Sequence, residues 1–215
     1  MTKDLRSARE HYTKGDLRRA TMADDPMQQF AKWLTEYSSL NRVDFNAMTV
    51  STIGKDGYPH SRVVLLKGVE DNGFVFYTNY ESDKGREMAA EPRVALTFFW
   101  PEMERQIRVE GLVEKIPEAD SNAYFRERPR ESQIGAWASP QSCEVDGEND
   151  LSDRYKAMVE RFKSTNDIPR PPHWGGYIVR PKMIEFWQGR PSRLHDRFRY
   201  QLQADGVWSL HRLAP

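Results

Sequence analysis

Short runs of β-branched residues, separated by turn dipeptides, set the strongest limit on how this chain can fold. The runs AMTVSTIG (residues 47–54) and SRVVLLKGV (61–69) flank Lys55-Asp56-Gly57, and Asp71-Asn72-Gly73 separates the second run from FVFYTNY. Asp-Gly and Asn-Gly tolerate the positive φ that tight hairpin turns need. The spacing therefore predicts antiparallel hairpins and disfavours alternating βαβ units.

The same pattern continues to the C-terminus. Further strands are predicted at VALTFFW, RQIRVEGLVEKI, GGYIVR, KMIEFWQG, RFRYQLQ and VWSLHRL. Helices are predicted from Pro26 onward, at 82–90, at 118–126 and at 151–163, from capping residues and apolar faces. About seven or eight strands with a few helices predict a mainly β chain with some α structure, in which helices lie outside an antiparallel barrel.

Composition excludes several classes of protein. The chain has 215 residues, and its 32 basic and 32 acidic side chains balance, which argues against a nucleic-acid partner. Cys143 is the single cysteine, so no intrachain disulfide or cysteine-based zinc site is expected. No secretory signal or membrane-length apolar run is present, which predicts a cytoplasmic protein without membrane contact. There is no metal-ligand spacing, GxGxxG, Walker A or GxSxG motif.

Cations and hydroxyl groups near two predicted elements could hold anions. Arg62 and Lys67 stand five apart on one predicted strand. In a regular strand that odd offset places them on opposite faces, so they would serve two different anions or simply end a buried strand. Ser82-Asp83-Lys84 begins a predicted helix soon after Tyr77-Thr78. This pattern is typical of a phosphate site and also of an ordinary capped helix.

Two later segments carry further candidate site residues. Residues 128–133 (RPRESQ), preceded by Tyr124, could clamp a phosphate, or they could form a solvated Arg-rich loop. Arg193 and His195 lie two apart, which would put them on one face of an extended segment. A charged hairpin end is the alternative interpretation of the second segment.

Seven segments occur in a specific order: RVVLLK, FYTNY, ERQIRVEG, RPRESQIGAWAS followed by Gln141-Ser142, WGGY, EFWQG and RLHDRF. The ordered set resembles the pyridoxine/pyridoxamine 5′-phosphate oxidase family, from about residue 9 to the C-terminus. The resemblance implies a split antiparallel β-barrel with peripheral helices, a homodimer, and FMN at the subunit interface. It also implies oxidation of either phosphorylated pyridine to pyridoxal 5′-phosphate by dioxygen, with hydrogen peroxide and, from the amine, ammonia as products. Residues 24–215 would be the single FMN-binding domain, and the charged residues 1–23 a mobile arm.

The resemblance also assigns residues by motif position. FMN would be bound by Arg62, Val63, Val64, Leu65, Leu66, Lys67, Tyr77, Thr78, Lys84, Gln106, Gln141, Ser142, Trp187 and Arg197. The substrate phosphate would be held by Lys67, Tyr124, Arg128 and Ser132. Arg193 and His195 would contact the substrate ring as catalytic residues, and Arg9 and Tyr12 would fold over bound substrate.

One position departs from the family pattern. Asp83 stands where the family usually has arginine, and a carboxylate pointing inward there would repel the FMN phosphate. Weaker but retained FMN binding is therefore expected, with Arg86 as a compensating cation. Three alternatives remain open: a split-barrel flavin or deazaflavin reductase, a non-catalytic flavin- or pyridoxal-phosphate-binding protein, and a nucleic-acid-binding barrel.

Overall fold

The computed structural model describes residues 11–215, and Arg9 lies outside the described residues. The described part of the chain contains five α-helices and nine β-strands. The helices are α1 (Pro26–Ser38), α2 (Asp83–Ala90), α3 (Glu118–Glu127), α4 (Arg130–Ala138) and α5 (Asp150–Arg161). The strands are β1 (Ala47–Ile53), β2 (Pro59–Leu65), β3 (Gly68–Glu70), β4 (Gly73–Asn79), β5 (Arg93–Trp100), β6 (Arg105–Lys115), β7 (Trp174–Gln188), β8 (Asp196–Leu202) and β9 (Trp208–Leu213). The mainly β class with helices is as predicted.

All nine strands belong to one sheet. Its order is β2-β1-β5-β6-β7-β4-β3, and β8 pairs with both β7 and β9. The pairs β3–β4, β4–β7, β7–β8 and β8–β9 are antiparallel. Asp71 and Asn72 adopt the positive φ that was expected between β3 and β4, and Gly206 does so between β8 and β9.

The chain forms two compact units. Unit 1 consists of residues up to Thr49, Ala95–Glu110 and Pro181–Pro215. Unit 2 consists of Val50–Val94 and Gly111–Arg180. Strands β1, β5, β6 and β7 contribute residues to both units. The sequence-based division into an arm and a single domain remains a prediction.

The core of unit 1 is built on α1. Asp25 caps this helix by accepting from the N–H groups of Met27 and Gln28, and Pro26 occupies its first turn, as expected. The buried face of α1 is aromatic: Phe30 lies 5.0 Å from Phe98, Trp33 5.1 Å from Phe186 and Tyr37 4.9 Å from Trp100, between ring centroids. The predicted arm also contributes, because Leu17 is buried and its N–H donates to Asp196.

The core of unit 2 lies among α3, α4, α5 and the start of β7. Phe125, Ile134, Phe162, Ile168 and Trp174 form one buried cluster there, with Tyr77 and Tyr124 packed against it. This cluster matters for function because it supports the side chains of α3 and β4 that line a cavity. No helix in the described part of the chain is long and apolar enough to cross a membrane. A cytoplasmic location stays a prediction.

Three element predictions were wrong. Residues 61–69 do not form one strand, because the chain breaks at Leu66–Lys67 between β2 and β3. The predicted strands GGYIVR and KMIEFWQG are one continuous strand, β7. No helix was predicted at residues 130–138, which form α4.

Candidate active site

One cavity in unit 2 collects side chains from five parts of the sequence. Its volume is about 550 Å³. Strand β2 contributes Arg62, Val63, Val64 and Leu65, and the break after β2 contributes Lys67. The other lining residues are Tyr77, Thr78, Asn79, Lys84, Tyr124, Arg128, Gln141 and Trp174. Four of these side chains are cationic, so the cavity is suited to anions.

The first turn of α2 brings Lys84 to this cavity. Ser82 caps the helix by accepting from the N–H of Gly85. The Lys84 ammonium donates to the Gln141 side-chain oxygen at 3.0 Å and to the Ser82 hydroxyl at 3.4 Å. Burial, and then the nearby charge of Arg62, lower the pKa of Lys84. No carboxylate of the described residues forms a salt bridge with Lys84, so an anionic ligand would relieve an unfavourable charge.

Asp83 points away from the cavity that Lys84 lines. Its carboxylate accepts from Arg86 at 2.6 Å, and its side chain is 58% exposed. Asp83 and Arg86 both line a different cavity, beside Gly54 and Lys55. The structure therefore supports the outward orientation of Asp83, and Arg86 is occupied by Asp83 and by the Glu81 carbonyl.

Arg128 lies at the C-terminal end of α3, over a group of aromatic rings. Its guanidinium carbon is 4.5 Å from the centroid of Trp174. The rings of Tyr77 and Tyr124 are stacked at 3.9 Å, and both are nearly parallel to Trp174. Arg128 Nη1 is buried without a hydrogen-bond partner among the described residues. Burial lowers the pKa of Arg128, although the charge interaction with Tyr124 opposes the shift.

Most of the predicted residues of unit 2 meet at this cavity. Eleven of them line it: Arg62, Val63, Val64, Leu65, Lys67, Tyr77, Thr78, Lys84, Tyr124, Arg128 and Gln141. Leu66, Ser132 and Ser142 do not line it. The prediction that Arg62 and Lys67 lie on opposite faces of one strand is wrong. Both border the same cavity because Lys67 lies beyond the end of β2, where its N–H bonds the Val75 carbonyl.

Two further residues, Asn79 and Trp174, line the cavity and were not predicted as site residues. Trp174 belongs to the WGGY segment, and the two glycines behind it were a signal of close packing. A Cβ at Gly176 would come within 2.8 Å of the Tyr77 ring, which packs against Trp174.

A second group of predicted residues lies in unit 1, around His195. Trp187 and His195 have ring centroids 4.6 Å apart, and Tyr12 lies 5.8 Å from each. Tyr12 also packs on Gly189, where a Cβ would stand 2.8 Å from its ring. Tyr12 is thus in contact with His195, which was predicted to bind the substrate ring.

The loop that carries Arg193 and His195 is not extended. Pro191–Arg193 forms a 3₁₀ turn, and Ser192 and Arg193 have φ values of 57° and 61°. The prediction of one shared strand face is therefore wrong. The N–H of Arg190 donates to His195 Nδ1 at 3.1 Å, so the neutral ring carries its proton on Nε2. Burial, and then the charge of Arg193, lower the pKa of His195.

Arg197 is held by an ion pair. Its Nε and Nη2 each donate to a Glu185 oxygen at 2.9 Å, across the β7–β8 ladder, and its Nη1 donates to the Ala214 carbonyl. The bidentate bond to Glu185 raises the pKa of Arg197. Gln106, also predicted to bind FMN, lies near the start of β6 in unit 1.

The cations of unit 2 fit the phosphate of a flavin mononucleotide, near Lys84, and the phosphate of a second ligand, near Arg128. The orphaned Arg128 Nη1 and the buried Lys84 ammonium both lack an anionic partner among the described side chains. A phosphate supplies oxygen acceptors and negative charge together. The flat rings around Tyr77 and the apolar stretch Val63–Leu65 offer surfaces that suit a planar aromatic group.

Comparison with known proteins identifies the family. The model of the family described as pyridoxamine 5′-phosphate oxidase matches residues 35–164. A second model, the pyridoxine 5′-phosphate oxidase C-terminal dimerisation region, matches residues 174–215. A pyridoxine/pyridoxamine 5′-phosphate oxidase of Salinibacter ruber is 49% identical over 98% of this chain and 99% of its own. Another, of Actinobacillus succinogenes, is 52% identical over 99% and 100%.

The chain belongs to the pyridoxamine 5′-phosphate oxidase family.

Two solved structures share the fold. PhzG of Burkholderia lata, in complex with tetrahydrophenazine-1-carboxylic acid, has a TM-score of 0.85 at 26% identity and covers 91% of this chain and 95% of its own. A family-related FMN-binding protein of Nostoc punctiforme has a TM-score of 0.73 at 19% identity, over 90% and 100%. The predicted split-barrel class and the predicted family are both confirmed, and the chain is an oxidoreductase of this family.

Proposed function

We propose that this protein uses FMN to oxidise pyridoxine 5′-phosphate or pyridoxamine 5′-phosphate to pyridoxal 5′-phosphate, with dioxygen as the electron acceptor. The observation that carries the proposal is the pair of cations without anionic partners, Lys84 and Arg128, in one cavity with stacked aromatic rings. Curated relatives at about half identity over the whole chain are pyridoxine/pyridoxamine 5′-phosphate oxidases.

Two phosphates are expected, one from the cofactor and one from the substrate. We assign the cofactor phosphate to Arg62 and Lys84, with Gln141 orienting the ammonium. We assign the substrate phosphate to Lys67, Arg128, Tyr124 and Ser132. The buried, unpaired Arg128 Nη1 supports this assignment because a guanidinium can bind two phosphate oxygens at once.

The protein's own part in the reaction is binding and orientation. FMN, when bound, supplies the redox chemistry, because its ring can take two electrons from the substrate and pass them to dioxygen. Clamping the substrate phosphate fixes the carbon to be oxidised, and such positioning can contribute several kcal/mol. Pyridoxine 5′-phosphate and O₂ then yield pyridoxal 5′-phosphate and H₂O₂. The amine substrate also consumes water and releases ammonia.

The residues around His195 are assigned to the substrate ring. A neutral His195 donates from Nε2 because Nδ1 accepts from the backbone. That donor suits the ring hydroxyl of a pyridine substrate. Arg193 supplies positive charge beside it, and Tyr12 covers the bound ring and excludes water.

We further propose that the active form is a homodimer with FMN at the interface. The match of residues 174–215 to a dimerisation region supports the dimer. Large apolar side chains that are exposed in one chain, such as Val63 (69%) and Phe99 (60%), would be covered by a second copy.

One experiment tests cofactor and reaction together. The purified protein should show a flavin absorbance band that bleaches when pyridoxine 5′-phosphate is added without oxygen, and peroxide should form when air returns. A band that bleaches only with a nicotinamide donor would indicate a reductase instead. A yellow protein that neither substrate bleaches would indicate a non-catalytic binding protein.

A further inference from the structure

A buried carboxylate lies directly behind the proposed cofactor-phosphate site. Glu87 is on α2, one turn after Lys84, and only 8% of its surface is exposed. It does not line the cavity that contains Lys84 and Arg62, and it borders the separate cavity beside Gly54. Glu87 is therefore placed to act on other side chains and not to touch a ligand in that cavity.

Glu87 is the centre of a hydrogen-bond network. Its Oε2 accepts from Arg62 Nη2 at 3.1 Å and from the Thr52 hydroxyl. Its Oε1 bonds His60 Nδ1. Burial acts to raise the pKa of Glu87, but the bonds from Thr52, His60 and Arg62 outweigh it and leave the pKa lowered. The carboxylate is therefore charged at neutral pH.

The network fixes one edge of the Arg62 guanidinium. Arg62 Nη2 donates to Glu87, and Nη1 donates to the Thr52 hydroxyl and, at 3.2 Å, to the His60 carbonyl. Three of the five N–H groups of the guanidinium are thus used. The remaining two have no partner among the described residues, and the Arg62 side chain lines the cavity.

Glu87 has two opposing effects on a bound phosphate. Its negative charge offsets part of the attraction between Arg62 and the phosphate. Its bonds hold Arg62 in one rotamer, which removes the entropy cost of ordering a long side chain when the ligand binds. Because three bonds converge on the carboxylate and the Arg62 side chain is only 22% exposed, we expect the second effect to prevail.

We propose that Glu87 is a positioning residue for the cofactor phosphate: by its own bond to Arg62 and through Thr52 and His60, it locks Arg62 in the orientation that receives that phosphate. The inference rests on the proposed function, since it requires FMN as the ligand. It predicts a specific pattern, in which loss of Glu87 weakens binding of flavin that carries a phosphate and leaves binding of phosphate-free flavin unchanged.

The test measures the Kd of FMN and of riboflavin by quenching of flavin fluorescence, on the full chain freed of cofactor. Glu87→Gln should raise the Kd of FMN about tenfold and change that of riboflavin less than about twofold. The matched control is Glu91→Gln, which removes the same charge from the end of the same helix, where Glu91 pairs with Arg93 and not with Arg62. The control should leave both Kd values within about twofold.

A second variant separates positioning from charge. In an Arg62→Ala background, Glu87→Gln should change the Kd of FMN less than about twofold, because its effect passes through Arg62. If Glu87→Gln does not fold, Thr52→Val removes the bridging hydroxyl at nearly constant volume. This variant should raise the Kd of FMN, to a smaller extent, and leave the Kd of riboflavin unchanged.

The inference is overturned if Glu87→Gln lowers the Kd of FMN or leaves it unchanged, or if it raises the Kd of riboflavin equally. It is also overturned if Glu87→Gln still raises the Kd of FMN in the Arg62→Ala background. The proposed function fails separately, in the wild-type protein, if FMN binds no better than riboflavin. That result would overturn the inference as well.

Discussion

Arg128 carries a charge that no carboxylate in the described part of the chain neutralises. Its Nη1 is buried and unpaired, and burial lowers its pKa. Keeping such a group costs stability in the empty protein. A ligand that restores the missing bond would recover this free energy, which is the physical reason for assigning Arg128 to a phosphate.

Replacing Arg128 should therefore affect substrate binding more than turnover. Arg128→Gln is expected to raise KM for pyridoxine 5′-phosphate about tenfold, or about 1.4 kcal/mol, with kcat changed less than threefold. Peroxide production in the steady state measures both. The control is Arg126→Gln, an exposed arginine on the same helix, which should stay within about twofold of wild type. An unchanged KM in Arg128→Gln would exclude the guanidinium from the phosphate clamp.

His195 should titrate below its ordinary range. Burial is the larger cause of its lowered pKa, and the charge of Arg193 is the second. Arg193→Gln should thus raise the pKa of His195 without restoring the ordinary value. An NMR titration of the imidazole signals measures this shift. The opposite direction, or no change, would mean that Arg193 is turned away from the ring in solution.

The orientation of Asp83 leads to a prediction about the departure from the family pattern. Its carboxylate pairs with Arg86, outside the cavity that contains Lys84. Asp83→Arg should therefore change the Kd of FMN less than about twofold, since exposed charges are screened. Lys84→Met, measured in parallel, should raise that Kd more than about tenfold. A large gain from Asp83→Arg would mean that this position reaches the phosphate after all.

Among the secondary-structure elements, α2 is the one whose placement depends most closely on a glycine. A Cβ at Gly85 would collide with the Tyr80 carbonyl and come within 2.7 Å of the Asn79 oxygen. A Cβ at Gly135, in the middle of α4, would meet open space. Gly85 thus allows the first turn of α2, with Lys84, to sit directly on the end of β4.

The two glycines should respond oppositely to the same substitution. Gly85→Ala is expected to lower the free energy of unfolding by about 1–3 kcal/mol, because backbone must move. Gly135→Ala should raise it by about 0.5–1 kcal/mol, through helix propensity. Urea denaturation of the cofactor-free proteins measures both. Equal effects would show that α2 does not pack against Tyr80 as closely as the structure indicates.

The elements that the sequence predicted correctly have strong local signals. Asp25 and Pro26 start α1, and Ser82 caps α2. The elements it did not predict depend on tertiary context. GGYIVR and KMIEFWQG were predicted as two strands with Pro181 between them, but β7 pairs with β4 only up to Val179 and with β8 only from Met183. Pro181 therefore falls in the gap between these two ladders, and the strand continues through it.

The candidate site, too, could be predicted only where the sequence carries local signals. The cationic and hydroxyl residues that were singled out on β2, β4 and α2 do line one cavity. Lys67 was given the wrong face because the strand was assumed to be regular. Helix α4 was missed because Pro129, which precedes it, was interpreted as part of a loop, although proline is tolerated at a helix start. Trp174 joins the cavity through long-range packing, of which the two following glycines were the only local sign.

For the whole molecule, zero net charge conceals an uneven distribution. Most described arginines are paired with carboxylates, as Arg197 is with Glu185 and Arg105 with Glu36. Two cations of one cavity, Lys84 and Arg128, have no carboxylate partner among the described residues. The balance therefore argues against a broad polyanion surface and is fully compatible with two small phosphate sites.

The proposed dimer gives a prediction that links assembly to cofactor binding. Sedimentation velocity should give a species of about twice the 25.1 kDa mass of one chain. If FMN lies between two copies, it binds the dimer more tightly than the monomer. By linkage, saturating FMN must then lower the dissociation constant of the dimer by the ratio of the two affinities. Dilution of the protein with and without FMN measures this ratio.

In that experiment, riboflavin and the Lys84→Met variant separate the contribution of the flavin ring to dimer stability from the contribution of its phosphate. Riboflavin should strengthen the dimer less than FMN does, because it leaves the cations of the cavity unpaired. In Lys84→Met the advantage of FMN over riboflavin should shrink, since one of those cations is gone. A dimer whose dissociation constant is the same with and without saturating FMN would place the flavin within one subunit.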